Sequence, residues 1–208
     1  PTIARDTEKT IAEARRYFQA IGRENVMIKI PGTPEGLPAV EQVISEGINV
    51  NVTLLFAVQS YVDAAWAYIR GLEQRIANGQ PIHHIASVAS FFLSRIDSKI
   101  DDRIELIRSK GIPLPEVSAK LAAIEGKVAI ANAKIAYQEY KKIVESDRWQ
   151  ALVSQGAKVQ RLLWASTSTK NPHYNDVMYV DELVGADTVN TLPPATIEAC
   201  ADHCDVAD

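Results

Sequence analysis

Apolar residues recur at spacings of three and four from Asp6 to Ile21, placing Ile11, Ala14, Phe18 and Ile21 on one face. Polar Asp6 and Thr7 stand ahead of this stretch and Gly22 follows, so the pattern predicts a helix with both ends marked. Val26 to Ile30 is a short apolar run closed by Pro31-Gly32, the signature of a strand covered on both faces. Leu37, Val40 and Ile44 predict a second helix stopped at Gly47, and residues 48–56 a second strand. Tyr61 to Ala77 reads as a helix and residues 83–90 as a third strand. A long charged insert, 98–155, comes next. It is helical over Ser98 to Ile107, broken over Gly111 to Pro115, and Ala/Lys/Glu-rich without turn signals from Ser118 to Glu145. Trp149 to Val153 adds a further helical turn. Residues 159–166 then predict a strand, His173 to Val184 a helix, 187–192 a strand ended by Pro193-Pro194, and Thr196 to Cys204 a last helix.

Strands alternating with helices imply parallel pairing, because a parallel crossover needs a dozen or more residues. Two architectures fit: an open doubly wound sheet, or part of a (β/α) barrel. Neither G-x-G-x-x-G nor G-x-x-x-x-G-K-[ST] follows any of the strands, so the nucleotide-binding fingerprints are absent. No repeat at a fixed period and no low-complexity tract interrupts the pattern.

Composition narrows the partners. The 208 residues carry 22 Lys+Arg against 26 Asp+Glu, and a net charge of −4 argues against nucleic acid or an anionic membrane surface. No apolar run approaches the ~18 residues of a membrane span. Two cysteines, both near the end, make no disulfide scaffold, which points to a reducing cytoplasm.

Lys29 carries the sharpest chemical signal. Alternation puts Met27 and Lys29 on one face of their strand and Val26, Ile28 and Ile30 on the other. Desolvation lowers a lysine pKa from ~10.4 towards ~7–8 in tuned sites, freeing the amine to attack carbonyls. A strand-end lysine reaching solvent or pairing a carboxylate fits the same pattern, and at this point both readings stand. On the next strand Asn49, Asn51 and Thr53 fall at every second position, a polar stripe that needs hydrogen-bond partners, water or a ligand. Asn49 lies deepest and suits a structural amide; Asn51 and Thr53 lie nearer the end where such folds place their sites. Ser90 and Arg95 flank the end of the third strand, and Ser166 to Lys170 follow the fourth. Both loops pair hydroxyls with a cation, as a phosphate or sugar requires.

Taken in order, IKIPGT with Lys29, GINVNVTLLF, SFFLSR and WASTSTKN resemble transaldolase, the Schiff-base enzyme of the pentose phosphate pathway. The match covers essentially the whole chain apart from the insert, which is similar to that of larger bacterial transaldolases. The resemblance implies a (β/α)8 TIM barrel, with 1–208 as about its C-terminal five βα units. It implies that Lys29 forms a Schiff base with a ketose phosphate, Thr53 helps hold the catalytic water and Asn51 bonds the dihydroxyacetone part. Ser90 and Ser166 would contact substrate, and Arg95 would bind the sugar phosphate. Lys170 would stand where many members have a second phosphate-binding arginine, a departure that exchanges a bidentate fork for a point charge. The implied reaction moves a dihydroxyacetone unit from sedoheptulose 7-phosphate to glyceraldehyde 3-phosphate, giving erythrose 4-phosphate and fructose 6-phosphate. It needs no cofactor or metal. A fructose-6-phosphate-type aldolase and a non-catalytic sugar-phosphate-binding fragment are the alternatives.

Two family features have no counterpart here: an Asp on the first barrel strand and a Glu on the third, which serve proton transfer. The chain opens on Pro1 with no initiator Met, and a barrel typically needs ~250 residues. The expectation is therefore a partial barrel lacking its upstream acid/base residues, with two raw sheet edges, inactive and poorly soluble as it stands. Three remaining features are read as structural. Cys200, His203 and Cys204 lack the further ligands of a zinc site and are expected as small buried thiols with a neighbouring imidazole. His83-His84 is packing and surface. The Ala/Lys/Glu-rich insert is a solvated helical face whose apolar residues suit a subunit contact.

Overall fold

The computed structural model describes residues 2–111 and 114–205. In chain order the elements are α1 (Thr7–Ile21), β1 (Ile28–Pro31), α2 (Gly36–Ser45), β2 (Val50–Leu55), α3 (Val58–Ala77), β3 (Ser87–Phe92) and α4 (Ser94–Ser109). They continue with α5 (Pro115–Ile124), α6 (Val128–Glu145), α7 (Asp147–Val153), β4 (Arg161–Ala165), α8 (Met178–Leu183), β5 (Thr188–Asn190) and α9 (Pro194–His203). The five strands form one sheet in the order β1-β2-β3-β4-β5. β1 pairs with β2 and β2 with β3 in parallel. A doubly wound sheet reverses its strand order at a switch point. An unbroken sequential order is instead that of part of a (β/α) barrel.

The element ends follow from local chemistry. Asp6 caps α1 by accepting the Lys9 N–H at 3.0 Å, and Gly22 closes it in the left-handed region. Three expected boundaries are corrected. The stretch from Ser118 to Glu145 is not one helix: α5 and α6 are separated at Gly126, whose φ of +68° no helix accommodates. The helix expected from His173 begins only at Met178. Asn171 and Asn175 side chains accept the N–H groups of His173 and Val177 at 3.0 and 3.1 Å, holding the preceding residues in turns. The third strand begins at Ser87, because the Ile85 N–H turns back to Ile82. Part of the break expected at Gly111 to Pro115 falls on residues 112 and 113, outside the described residues.

The chain divides into two compact units, one of residues 1–91 with 136–163, the other of 92–135 with 164–208. In the first, α2 lies tightly on α3. A Cβ on Gly71 would meet the Glu41 carbonyl at 2.8 Å and the Ile44 side chain at 2.7 Å. Val40, Val43, Val50, Val52, Leu55 and Leu72 are wholly buried there. In the second, Trp164 is buried and donates its indole N–H to the Leu183 carbonyl at 2.8 Å, with Leu93, Ile104 and Val177 also in the core. α5 buries no residue, whereas α6 buries Ala129, Ala133, Ala136, Tyr140 and Ile143 along one stripe.

Candidate active site

The first unit brings four of the expected residues to neighbouring strands. Lys29 stands level with Asn51, and Pro31 with Thr53, in the β1–β2 register. Aligned residues of parallel strands share a face, so Lys29, Asn51 and Thr53 lie on the same side of the sheet. Lys29 is exposed. β1 is the first strand in the sheet order and, among the described residues, pairs with β2. Lys29, Pro31 and Thr53 line one groove with Thr10 and Tyr17 of α1. Thr53 is 6% exposed, and its Oγ1 is buried without a hydrogen-bond partner among the described residues. An orphaned buried hydroxyl is costly in isolation, and the groove beside it offers room for the missing partner. Ser90, fully buried on β3, donates its hydroxyl to the Asn51 side-chain oxygen at 2.7 Å.

Asn49 settles differently. Its amide nitrogen donates to the carbonyls of Glu24 (3.0 Å) and Val26 (3.4 Å), and its oxygen accepts the Ala86 N–H at 2.9 Å. Every bond it makes goes to backbone ahead of a strand. It is a structural clamp at the strand-start end.

Just past Thr53 the strand carries a feature that sequence reading missed. Val52 pairs with Ala89 but Leu55 with Phe91, so β2 takes three steps where β3 takes two. The extra residue is Leu54, with φ of +61° and an exposed side chain. This is a β-bulge, and bulges cluster beside active sites, where they re-aim side chains. No Gly or Asn marks the position, so nothing in the sequence announced it.

The second unit holds the other expected residues. The hydroxyls of Ser94 and Ser166 are 2.9 Å apart, the Ser94 N–H donates to the Ser166 carbonyl at 3.1 Å, and Ser166 is in the left-handed region at φ +58°. Ser94 was not singled out from sequence; a serine opening a helix is too common to stand out. Arg95 is exposed and lies over the Phe92 ring at 5.2 Å. Lys170 is exposed and donates to the Ser168 hydroxyl at 2.9 Å. Thr167, wholly buried, donates to the Thr191 carbonyl at 2.7 Å and ties the loop after β4 to the end of β5. Also unanticipated is Asp97, 1% exposed, which accepts from Tyr179 Oη at 2.7 Å and from the Ala129 N–H at 2.8 Å. Burial pushes its carboxyl above the ordinary aspartate range, against the pull of those two bonds.

His84 lies exposed ahead of β3, its Nε2 3.4 Å from a guanidinium nitrogen of Arg75. Arg75 is buried, donating to the carbonyls of Pro81 and Ser45. Cys200 and Cys204 are half-buried rather than buried, and Cys204 stands at the C-cap of α9. Burial, with hydrogen bonds to Cys200 and Asp181, pushes the Cys204 thiol up to about 12. His203 sits between Asp176 and Asp202. Among the described residues no group of three or more His, Cys, Asp or Glu is placed to hold a metal ion, and no helix is long and apolar enough to cross a membrane.

All 208 residues match the transaldolase/fructose-6-phosphate aldolase family. Over 208 residues the chain is 74% identical to "Transaldolase 2" of Nostoc sp., covering all of this chain and 55% of that protein. Over 206 residues it is 74% identical to "Transaldolase" of Trichodesmium erythraeum and 51% identical to that of Saccharopolyspora erythraea. These two cover 99% of this chain, and 54% and 53% of the respective proteins. The chain thus spans about half the length of the curated relatives it matches.

Proposed function

The chain belongs to the transaldolase/fructose-6-phosphate aldolase family, and from that premise we propose that it supplies the Schiff-base half of a transaldolase site. The observation that carries this reading is the pairing of Lys29 with Asn51 across β1 and β2, with the orphaned Thr53 hydroxyl in the same groove.

The amine of Lys29 adds to the keto carbon of a ketose phosphate, and with uptake of one proton the carbinol oxygen leaves as water to give an iminium. That cation accepts the electron pair of the C3–C4 bond, which breaks and releases an aldose phosphate. The three-carbon enamine left on Lys29 adds to the aldehyde of a second aldose phosphate. Water then hydrolyses the new iminium and frees the ketose. Thr53 holds that water in this reading, supported by a hydroxyl that has no hydrogen-bond partner among the described residues. Asn51, fixed by Ser90, offers its remaining amide donors to the dihydroxyacetone hydroxyls. Arg95 and Lys170 hold the phosphate by charge, and Ser90 and Ser166 contact the substrate. The lysine carries the covalent chemistry, so the reaction asks for no cofactor. Sugar phosphates are the proposed partners, and the cytoplasm the proposed compartment.

The test is borohydride trapping with fructose 6-phosphate in the complete protein. The expected result is a label on Lys29; a folded protein that is not labelled there overturns the reading. Transfer to erythrose 4-phosphate without release of free dihydroxyacetone identifies a transaldolase. Release of the free three-carbon ketone identifies the aldolase that shares the family.

A further inference from the structure

The second unit carries a repeated polar pattern that the Schiff-base chemistry does not use. Asp97 and Asp101 are four residues apart on α4, hence on one face of that helix. Each carboxylate accepts a tyrosine hydroxyl and a backbone N–H. Asp97 takes Tyr179 at 2.7 Å and the Ala129 N–H at 2.8 Å. Asp101 takes Tyr174 at 2.7 Å and the Gly126 N–H at 3.3 Å. The two rungs are built on the same elements: both tyrosines come from the segment after β4, and the N–H groups from the α5–α6 junction and the first turn of α6. The junction has no freedom to change at Gly126. A Cβ there would lie 2.7 Å from the Tyr174 ring, in addition to the strain of φ +68°.

What these rungs hold is the loop that bears Lys170. Its start is fixed to α4 by the Ser94–Ser166 hydroxyl pair and by the Ser94 N–H on the Ser166 carbonyl. Its end is fixed to the same helix by Tyr174 on Asp101 and Tyr179 on Asp97. Between these ties Lys170 donates to the neighbouring Ser168 hydroxyl and is exposed. Arg95 is the second residue of that helix. One helix therefore carries one cation and anchors both ends of the loop carrying the other.

We propose that Asp97 and Asp101 are positioning residues that act through Tyr179 and Tyr174 to set the Lys170 loop against Arg95, so that both cations meet one substrate phosphate. The inference rests on the phosphate-binding role proposed above for the two cations. A point charge such as a lysine ammonium has no fork to orient itself on a phosphate, so its placement depends on the loop that carries it. Charge-assisted bonds from a tyrosine hydroxyl to a buried carboxylate are among the stronger ties available for that purpose.

The test compares Tyr174→Phe and Tyr179→Phe with the unaltered complete protein, using fructose 6-phosphate and unphosphorylated fructose as donors. Losing one rung raises KM for the phosphorylated donor about tenfold, the equivalent of one such hydrogen bond, and leaves kcat within about twofold. KM for fructose stays unchanged, because no phosphate is being placed. Hydrogen exchange speeds up over residues 167–173 but not in β1 or β2. A purely structural role would lower the melting temperature without separating the two donors. Equal effects on both donors, or no effect on either, overturn the inference while leaving the Schiff-base reading intact. An unaltered protein that neither traps nor turns over fructose 6-phosphate overturns the reading itself and this inference with it. Tyr174 is only half-buried, so Tyr174→Phe carries the test if Tyr179→Phe does not fold.

Discussion

Asn49 and Asn51 are the same residue, two positions apart, on the same face of the same run of chain, and the structure uses them for opposite purposes. Asn49 spends both its donor and its acceptor on backbone, binding the approaches to three strands at once. Asn51 receives one bond from Ser90, is half-buried, and faces the side of the sheet that carries Lys29. Residue type and alternation are equal in the two cases. What separates them is position along the strand. The start of the sheet closes every polar group on the protein itself, and the far end leaves some open, as the Thr53 hydroxyl shows most plainly.

The largest effect expected on either side of this contrast is on stability. Asn49→Ala removes three hydrogen bonds and strands a buried N–H, and it should cost about 3 kcal/mol in urea unfolding. Asn51→Ala should cost no more than about 1 kcal/mol, the loss of the Ser90 bond. Equal losses would erase the distinction between the two ends. Thr53→Val sharpens it from the other direction. Removing an unpartnered hydroxyl at nearly constant volume should leave stability unchanged or raise it by up to about 1 kcal/mol. Turnover of fructose 6-phosphate by the complete protein should nevertheless fall about a hundredfold, the scale of losing one group that positions a reacting molecule. Leu54→Gly relieves a left-handed leucine at the bulge and should stabilise by about 1 kcal/mol.

The smallest effects are the titrations of two histidines, His84 and His203. Burial and the neighbouring Arg75 and His83 hold His84 below the usual histidine value. Its contribution to stability is present above the unfolded value of ~6.5 and fades as pH falls through the folded one. His203 is the reverse: Asp176 and Asp202 raise it. Its contribution is present below ~6.5 and is lost as pH rises through the folded value. Proton NMR of the imidazole resonances should give midpoints on opposite sides of the unperturbed value.

Much of this was legible in the residues. The alternation of helices and strands, the lysine strand and the polar stripe follow from periods of 3.6 and 2 and from turn residues. The split of the stripe into a deep structural Asn49 and an outer pair was foreseeable from depth alone. The family resemblance seen in IKIPGT and GINVNVTLLF agrees with the match over all 208 residues. Other features were out of reach. Asp97 and Asp101 look like two more charges in a charged helix, and only their partners, 25 to 82 residues away in sequence, mark them as anchors. The helix break at Gly126 lay inside a stretch rich in good helix formers, where one glycine is usually tolerated.

The bulge in β2 works as a phase shifter. Up to Val52 the strand is locked to the core's two-residue beat, and a one-residue change there would turn every side chain to the wrong face. Leu54 absorbs one step, so that Thr53 and Leu55 are both buried while the leucine between them faces solvent. The residues of this strand proposed to act in the chemistry, Asn51 and Thr53, therefore sit next to the place where the beat is reset. Insertions or deletions at that spot can re-time the loop into α3 without re-timing the core, a freedom that an ideal strand would not possess.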